Sequence, residues 1–221
     1  MSPMTKLRLT LAALALTTAL AGCVNLLPNP EVPQALIALP ADRAKAPPMP
    51  LLADVSVLPP DSSRAFSGVD IAVSDNQELV YLADVRWADA APRLMQNAVV
   101  NALSKAGGAG RVTTAQQGVR ADYELRWRII DLSVGKDVMP VNVIVSASLV
   151  DAESRRSIAQ GEFKATGVPA TRSPRDRAAA LAMAAQDAAD QVAAFAAKSV
   201  VPVAPFSPAA APTTAASSPK N

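Results

Sequence analysis

The chain has a single cysteine, and its neighbours are the residues best placed to do chemistry. Leu20-Ala21-Gly22-Cys23 closes a leader in which Lys6 and Arg8 precede an uncharged apolar run from Leu9 to Leu20. A short cationic region, an apolar stretch and small residues before a cut site together make an export signal. Small side chains at the two positions before cysteine let an extended backbone enter a peptidase, and the tetrapeptide resembles a bacterial lipobox. The Cys23 thiol would then receive a diacylglycerol. Stable attachment takes more than one acyl chain or signal, which a three-chain lipid on the new amino terminus supplies. A spanning helix needs about 20 apolar residues, whereas threonines interrupt this run and Pro28, Asn29 and Pro30 soon follow it. A permanent span is therefore the weaker reading, as are a soluble export signal and a lone buried cysteine.

Other chemistry has little to work with. The sequence contains no histidine, which excludes a Ser-His-Asp triad, a Cys-His dyad and most zinc sites. One cysteine cannot make an internal disulfide. The carboxylates, lysines and hydroxyls form no compact constellation, so no catalytic residue, metal ligand or cofactor site is assigned and an enzyme is not expected. Removing the first 22 residues takes away Lys6 and Arg8 and no acid, which brings the formal charge from +2 to nil. Arg126/Arg128, Arg155/Arg156 and Arg172/Arg175/Arg177 are the densest cationic groups, and a nucleic-acid partner is not expected from them.

Half of the residues are hydrophobic and 18% are charged, enough to build a core, while the aromatic share of 4% leaves alanine, valine and leucine to fill it. Seven prolines fall between Val24 and Pro50 and five between Val201 and Asn221. Such stretches favour extended, non-packing chain, and at roughly 3.1 Å per residue the first could reach about 80 Å. The chain thus divides into a signal peptide (1–22), a lipidated cysteine with a proline-rich linker (23–50), one folded domain (51–200) and a Pro/Ala/Ser/Thr-rich tail (201–221).

Within the domain, "DVSVLP" and "GVDIAVS" read as short strands, and "QELVYLADVRW" places Leu79, Tyr81 and Ala83 on one face by period-two alternation. A helix follows from around Asp89, its expected cap, with apolar doublets at Leu94/Met95, Ala98/Val99 and Ala102/Leu103 and a close at Gly107-Gly108. After a short strand near Arg111 to Thr114, "ADYELRWRIIDLSV" puts Tyr123, Leu125, Trp127 and Ile129 on one face. "PVNVIVSASLVD" and "SIAQGEFKATG" continue an antiparallel meander with one wet face. Ser173-Pro174-Arg175-Asp176 has the form of a capped start for a long alanine-rich helix with a stripe at Leu181, Ala185, Ala188, Val192 and Phe195. The expected fold is α+β: a mostly antiparallel sheet with two helices packed on one face.

The order of these pieces resembles the ABC-type transport auxiliary lipoproteins, which include the paraquat-inducible PqiC type and auxiliary components of MCE lipid-transport systems. The resemblance is carried by the lipobox, the "IAV" strand, "LVYLADVRWADAAPRLMQNAVVNAL", "GVRADYELRWRIIDL", "VIVSASLVDAESRRSIAQGEFKA" and the final alanine-rich helix. A strand-borne tyrosine leading to an "RW" is matched by Tyr81 and Arg86-Trp87, while "PQALIALP" stands where the family often has an aromatic pair. The resemblance implies an outer-membrane lipoprotein facing the periplasm and working beside an inner-membrane ATPase, a permease and an MCE-domain protein. Val24 rather than an aspartate after Cys23 fits that placement.

Three roles follow from different classes. The domain is a non-catalytic accessory that docks on an MCE component, or a carrier holding lipid in an apolar cleft between helix and sheet, or an envelope-integrity factor. Tyr81, Trp87, Tyr123 and Trp127 are the aromatics that could line such a cleft or contact a partner, and ordinary core packing is the commoner role for each. For Trp87, a staple between the first helix and the sheet is the expectation. A homo-oligomer stays open.

Overall fold

The computed structural model describes residues 35–75, 78–136 and 140–202. Among these, nine strands and two α-helices follow the order β1 (Ala35–Ile37), β2 (Val55–Val57), β3 (Asp61–Ser62), β4 (Asp70–Asp75), β5 (Glu78–Trp87), α1 (Ala91–Ser104), β6 (Val112–Thr114), β7 (Tyr123–Gly135), β8 (Val141–Asp151), β9 (Ser157–Gly167) and α2 (Pro174–Ser199). The fold is α+β, as the sequence implies.

β7 organises the sheet. Its alternation buries Tyr123, Leu125, Trp127 and Ile129 and leaves Arg126 and Arg128 in solvent. A register shift between Ile129 and Asp131 inserts one residue, so the core face resumes at Leu132 and Val134. Along one edge β7 pairs antiparallel with β8, which pairs antiparallel with β9. Along the other edge β2, β3 and β4 pair with it in series, all parallel. β4 then takes β5 antiparallel, β5 takes β1 parallel, and β2 takes β6 parallel. The sheet is mixed and unclosed: its long ladders are antiparallel and its parallel pairings are two or three residues each.

α2 lies across β5, β7, β8 and β9, and α1 packs beside it over β2 and β6. The Ser173 hydroxyl caps α2 by accepting from the Asp176 N–H at 3.1 Å. Leu181, Ala185, Ala188 and Val192 are buried at the expected spacing, and Phe195 sits half-buried with its ring centroid 5.3 Å from that of Phe163. Ala182, Ala189, Ala193 and Ala196 are buried as well, because α2 is covered by α1 as well as by the sheet. Side chains this small let the backbones approach closely. At the start of α1 the cap falls on Ala90 rather than Asp89. The Asp89 carboxylate instead accepts from the Ala90 N–H at 2.7 Å, and the Ala91 N–H reaches Gly68 O at 3.0 Å.

The domain begins earlier than the proline content suggests. β1 pairs with β5 at Ala35, and Ala44, Pro47, Leu51 and Ala53 are buried. Lys105 Nζ donates to Ala44 O at 2.7 Å, and Lys45 meets Asp187 at 2.9 Å. The Leu51 N–H donates to Gly107 O, and the Gly110 N–H donates back to Leu51 O, both at 2.9 Å. Proline restricts the unfolded chain, so an extended segment of this kind loses less entropy when small residues such as Ala44 and Ala53 seat it. The close approach depends on glycine: a Cβ at Gly110 would lie 2.3 Å from Ala53 O, and one at Gly108, where φ is +97°, would lie 2.3 Å from Leu51 O. Gly110→Ala should therefore push residues 51–53 off the domain and cost roughly 1–3 kcal/mol. Thermal unfolding should show this as a loss of several degrees, and an unchanged melting temperature would show that the approach is not tight.

Candidate functional site

The lipobox and Cys23 lie outside the described residues. Of the four candidate aromatics, three are in the core. Trp87 is 2% exposed beneath the backbone pairing of its own N–H with Val69 O at 2.8 Å. Trp127 is buried with its indole N–H on Leu58 O at 2.8 Å. Tyr123 is buried with its hydroxyl 3.4 Å from Val201 O, and burial pushes its pKa up. Pairing the indole N–H with a carbonyl satisfies the one donor that would otherwise make burying Trp127 costly.

Tyr81 is different. On β5 Leu79, Tyr81 and Ala83, placed on one face by the alternation, are exposed, while Leu82, Val85 and Trp87 are buried. Between Arg86 and Tyr81 β5 gains three residues on β4, and within this irregularity Asp84 has φ at +64°, so that Leu82 and Val85 lie on the same side three positions apart. Leu79, Val80 and Tyr81 are 49%, 50% and 52% exposed at the end of the β4–β5 hairpin. A sequence signal for this exists. Three consecutive apolar residues cannot all face one core from a single strand.

Elsewhere exposed apolar side chains such as Leu36, Val119 and Val168 lie among polar ones. A groove of about 600 Å³ runs between Leu58 and the turns at Val119–Asp122 and Asp151–Glu153. On its edge Glu124 pairs with Arg126 at 2.7 Å and Arg155 at 2.9 Å, and these guanidiniums hold its carboxyl below the usual range, Arg126 most. A second groove, about 440 Å³, lies between α2, the end of β9 and residues 45–48. There Gln186 Nε2 donates to Asp190 Oδ1 at 2.9 Å, both side chains buried. Sequence reasoning missed this pair because the residues interrupt an apolar stripe as surface residues do. Gln96, also buried, donates to Val57 O at 2.9 Å and ties α1 to β2. Among the described residues no group of three acidic or cysteine side chains gathers as a metal cage. The first groove is walled mainly by polar and charged side chains, whereas the second sets Lys45, Asp187 and Asp190 beside Ala46, Pro48, Ala165 and Ala194.

Residues 36–193 match the family described as ABC-type transport auxiliary lipoprotein component. The chain belongs to that family. Among solved structures, a Xanthomonas campestris protein of the DUF330 family superposes with a TM-score of 0.66 at 19% identity, covering 75% of this chain and 94% of that one. An uncharacterized protein superposes with a TM-score of 0.57 at 15% identity over 76% of this chain and 99% of that one. At such identities the likeness establishes the fold alone. No curated protein matches the sequence significantly. The family match begins within β1, the strand whose residues Ala35–Ile37 pair with β5.

Two outcomes follow from the placement of these side chains. Trp87→Ala should cost about 3–5 kcal/mol, whereas Tyr81→Ala should stay within roughly 0.5 kcal/mol of the parent, as read from urea unfolding; equal losses would place Tyr81 in the core. Asp131 is half-buried, and burial raises its pKa against the opposing hydrogen bonds of Ser133 and Leu132. The folded chain thus holds this proton to higher pH than the unfolded chain, and ionisation at neutral pH costs stability. Asp131→Asn should melt higher than the parent at pH 7, with the gain vanishing below the ordinary aspartate range. A gain that persists in acid would point to a cause other than ionisation.

Proposed function

We propose that this chain is an outer-membrane lipoprotein, anchored through Cys23 and facing the periplasm, that serves as a non-catalytic accessory of an MCE-type ABC transporter moving lipids or other hydrophobic molecules. The observation that carries the reading is a family match that starts at residue 36, thirteen positions after a lipobox cysteine. The partners are an MCE-domain protein and, through it, the ATPase and permease. The aromatic side chains support an accessory over a carrier, because Trp87, Tyr123 and Trp127 are used to pack the core and only Tyr81 remains at the surface.

The early start of the domain shortens the tether. Cys23 and Ala35 are twelve positions apart, and at about 3.3–3.6 Å per residue the fully extended chain between them reaches roughly 40 Å. The accessory works close to the membrane that holds it, and the partner component has to come to it.

Metabolic labelling with palmitate should mark the parent and leave Cys23→Ser unlabelled, and the parent should fractionate with the outer membrane. Affinity purification from detergent extracts should recover an MCE-domain protein with the parent. An unlabelled parent would remove the anchor from the proposal, and recovery of a labelled protein alone would remove the transporter.

A further inference from the structure

We infer that the groove between α2, the end of β9 and residues 45–48 is a binding site for a primary alkylammonium group, with Asp190 as the buried carboxylate that receives it. The site lies wholly within the domain and is independent of lipidation at Cys23.

Asp190 is 8% exposed and lines the groove. Its Oδ1 accepts from Gln186 Nε2 at 2.9 Å, about one helical turn back along α2. Its Oδ2 is buried and has no hydrogen-bond partner among the described residues, and the same holds for Gln186 Oε1. A buried acceptor without a donor is costly, the more so when it carries charge. A donor that enters the groove removes that cost.

Charge selects the kind of donor. The described side chains that line the groove carry one positive charge, on Lys45, against two negative ones, on Asp187 and Asp190. Lys45 Nζ rests on Asp187 Oδ1 at 2.9 Å. Both aspartates raise the pKa of Lys45, Asp187 first through its hydrogen bond and Asp190 by charge alone. Lys164, next to Ala165, does not line the groove, and its ammonium pairs with Glu162 at 3.1 Å. One negative charge is therefore left over, beside an oxygen that lacks a donor. Water supplies a donor without a charge. A divalent cation asks for about six or more oxygen ligands, where this groove offers two carboxylates with an ammonium already on one of them. A second ammonium supplies charge and three N–H donors together, and Asp187 and Asp190, three positions apart on α2, are neighbours on the helix surface.

The rest of the groove suits the stem that carries such a head. Ala46 and Pro48 contribute from the segment before β2, Ala165 from β9 and Ala194 from α2. Methylenes lie along apolar surface of this kind while the charged end reaches polar partners. The volume of about 440 Å³ is many times the roughly 30 Å³ share of a water molecule and within the range of small-molecule sites. The walls are fixed in advance: Lys105 Nζ holds Ala44 O at 2.7 Å, Pro47 is buried, and Gln191 Nε2 on α2 donates to Lys164 O on β9 at 3.1 Å. A preformed site loses little freedom on binding.

The test titrates the full chain in detergent micelles at pH 7, followed by calorimetry, with two amines. N-acetyl-lysine methylamide presents the ammonium as a protein side chain does, and cadaverine presents it as a free amine. At least one should bind, while N-acetyl-norleucine methylamide, which keeps an apolar stem without the ammonium, should not. Asp190→Asn should weaken binding roughly tenfold or more. Lys45→Ala, which removes the ammonium already at the rim, should strengthen it about threefold. Arg43→Ala removes an exposed cation that does not line the groove and should leave it unchanged. Preference for the lysine derivative assigns the natural ligand to a lysine side chain of a partner, and preference for cadaverine to a free amine; both support the site. Binding of neither amine, equal binding of the norleucine derivative, or equal effects of Lys45→Ala and Arg43→Ala would overturn it. If Asp190→Asn fails to fold, the comparison of Lys45→Ala with Arg43→Ala decides alone.

Discussion

The structure depends on one strand being paired on both edges along its length. β7 gives one edge to β8 without interruption save for the bulge at Ile129–Asp131, and divides the other among β2, β3 and β4. Each of those three strands is too short to be stable alone, since even an isolated hairpin is marginal in water. Pairing in series on a common template lets them share one register. The bulge is what allows it, because it returns Leu132 and Val134 to the core face. Without it the last turn of the ladder would present those side chains to the opposite side.

The helical layer answers to the same constraint. α2 meets the sheet with alanine at most of its buried positions. Small residues give little transfer energy each but permit close backbone approach, so the packing gains by contact density what it lacks in side-chain area. The segment from Ala44 to Ala53 follows the same logic on the other side, where Gly108 and Gly110 let its backbone touch the turn after α1.

Most of the layout was legible because it follows local rules. The β7–β8–β9 alternation, the α2 cap at Ser173 and the Leu181–Val192 stripe each depend on spacing within one element. What was not legible depends on contacts between elements. The burial of Gln96 requires Val57 O to lie opposite it. The residues from Ala35 to Pro50 read as a tether because proline density reports on what a segment does by itself and not on whether an edge strand waits for it. Which face of β5 meets the core was not legible because the strand's irregularity falls around Asp84, an ordinary aspartate that takes a left-handed conformation without a glycine to announce it. As for the site, the aromatics were identifiable by type, but only the fold separates Tyr81, which is exposed, from Trp87, Tyr123 and Trp127, which are not.

Placing β1 inside the domain changes how an anchor and a domain relate. A long tether would decouple the two, leaving the orientation of the domain to its partner alone. A chain that enters the sheet at Ala35, beside Val85 on β5 and parallel to it, makes that segment a strand of the domain with a fixed direction, and no longer a free tether. The charged turns around Asp122 and Asp151 suit an encounter through water, since complementary charge steers association over distances that apolar contact cannot reach.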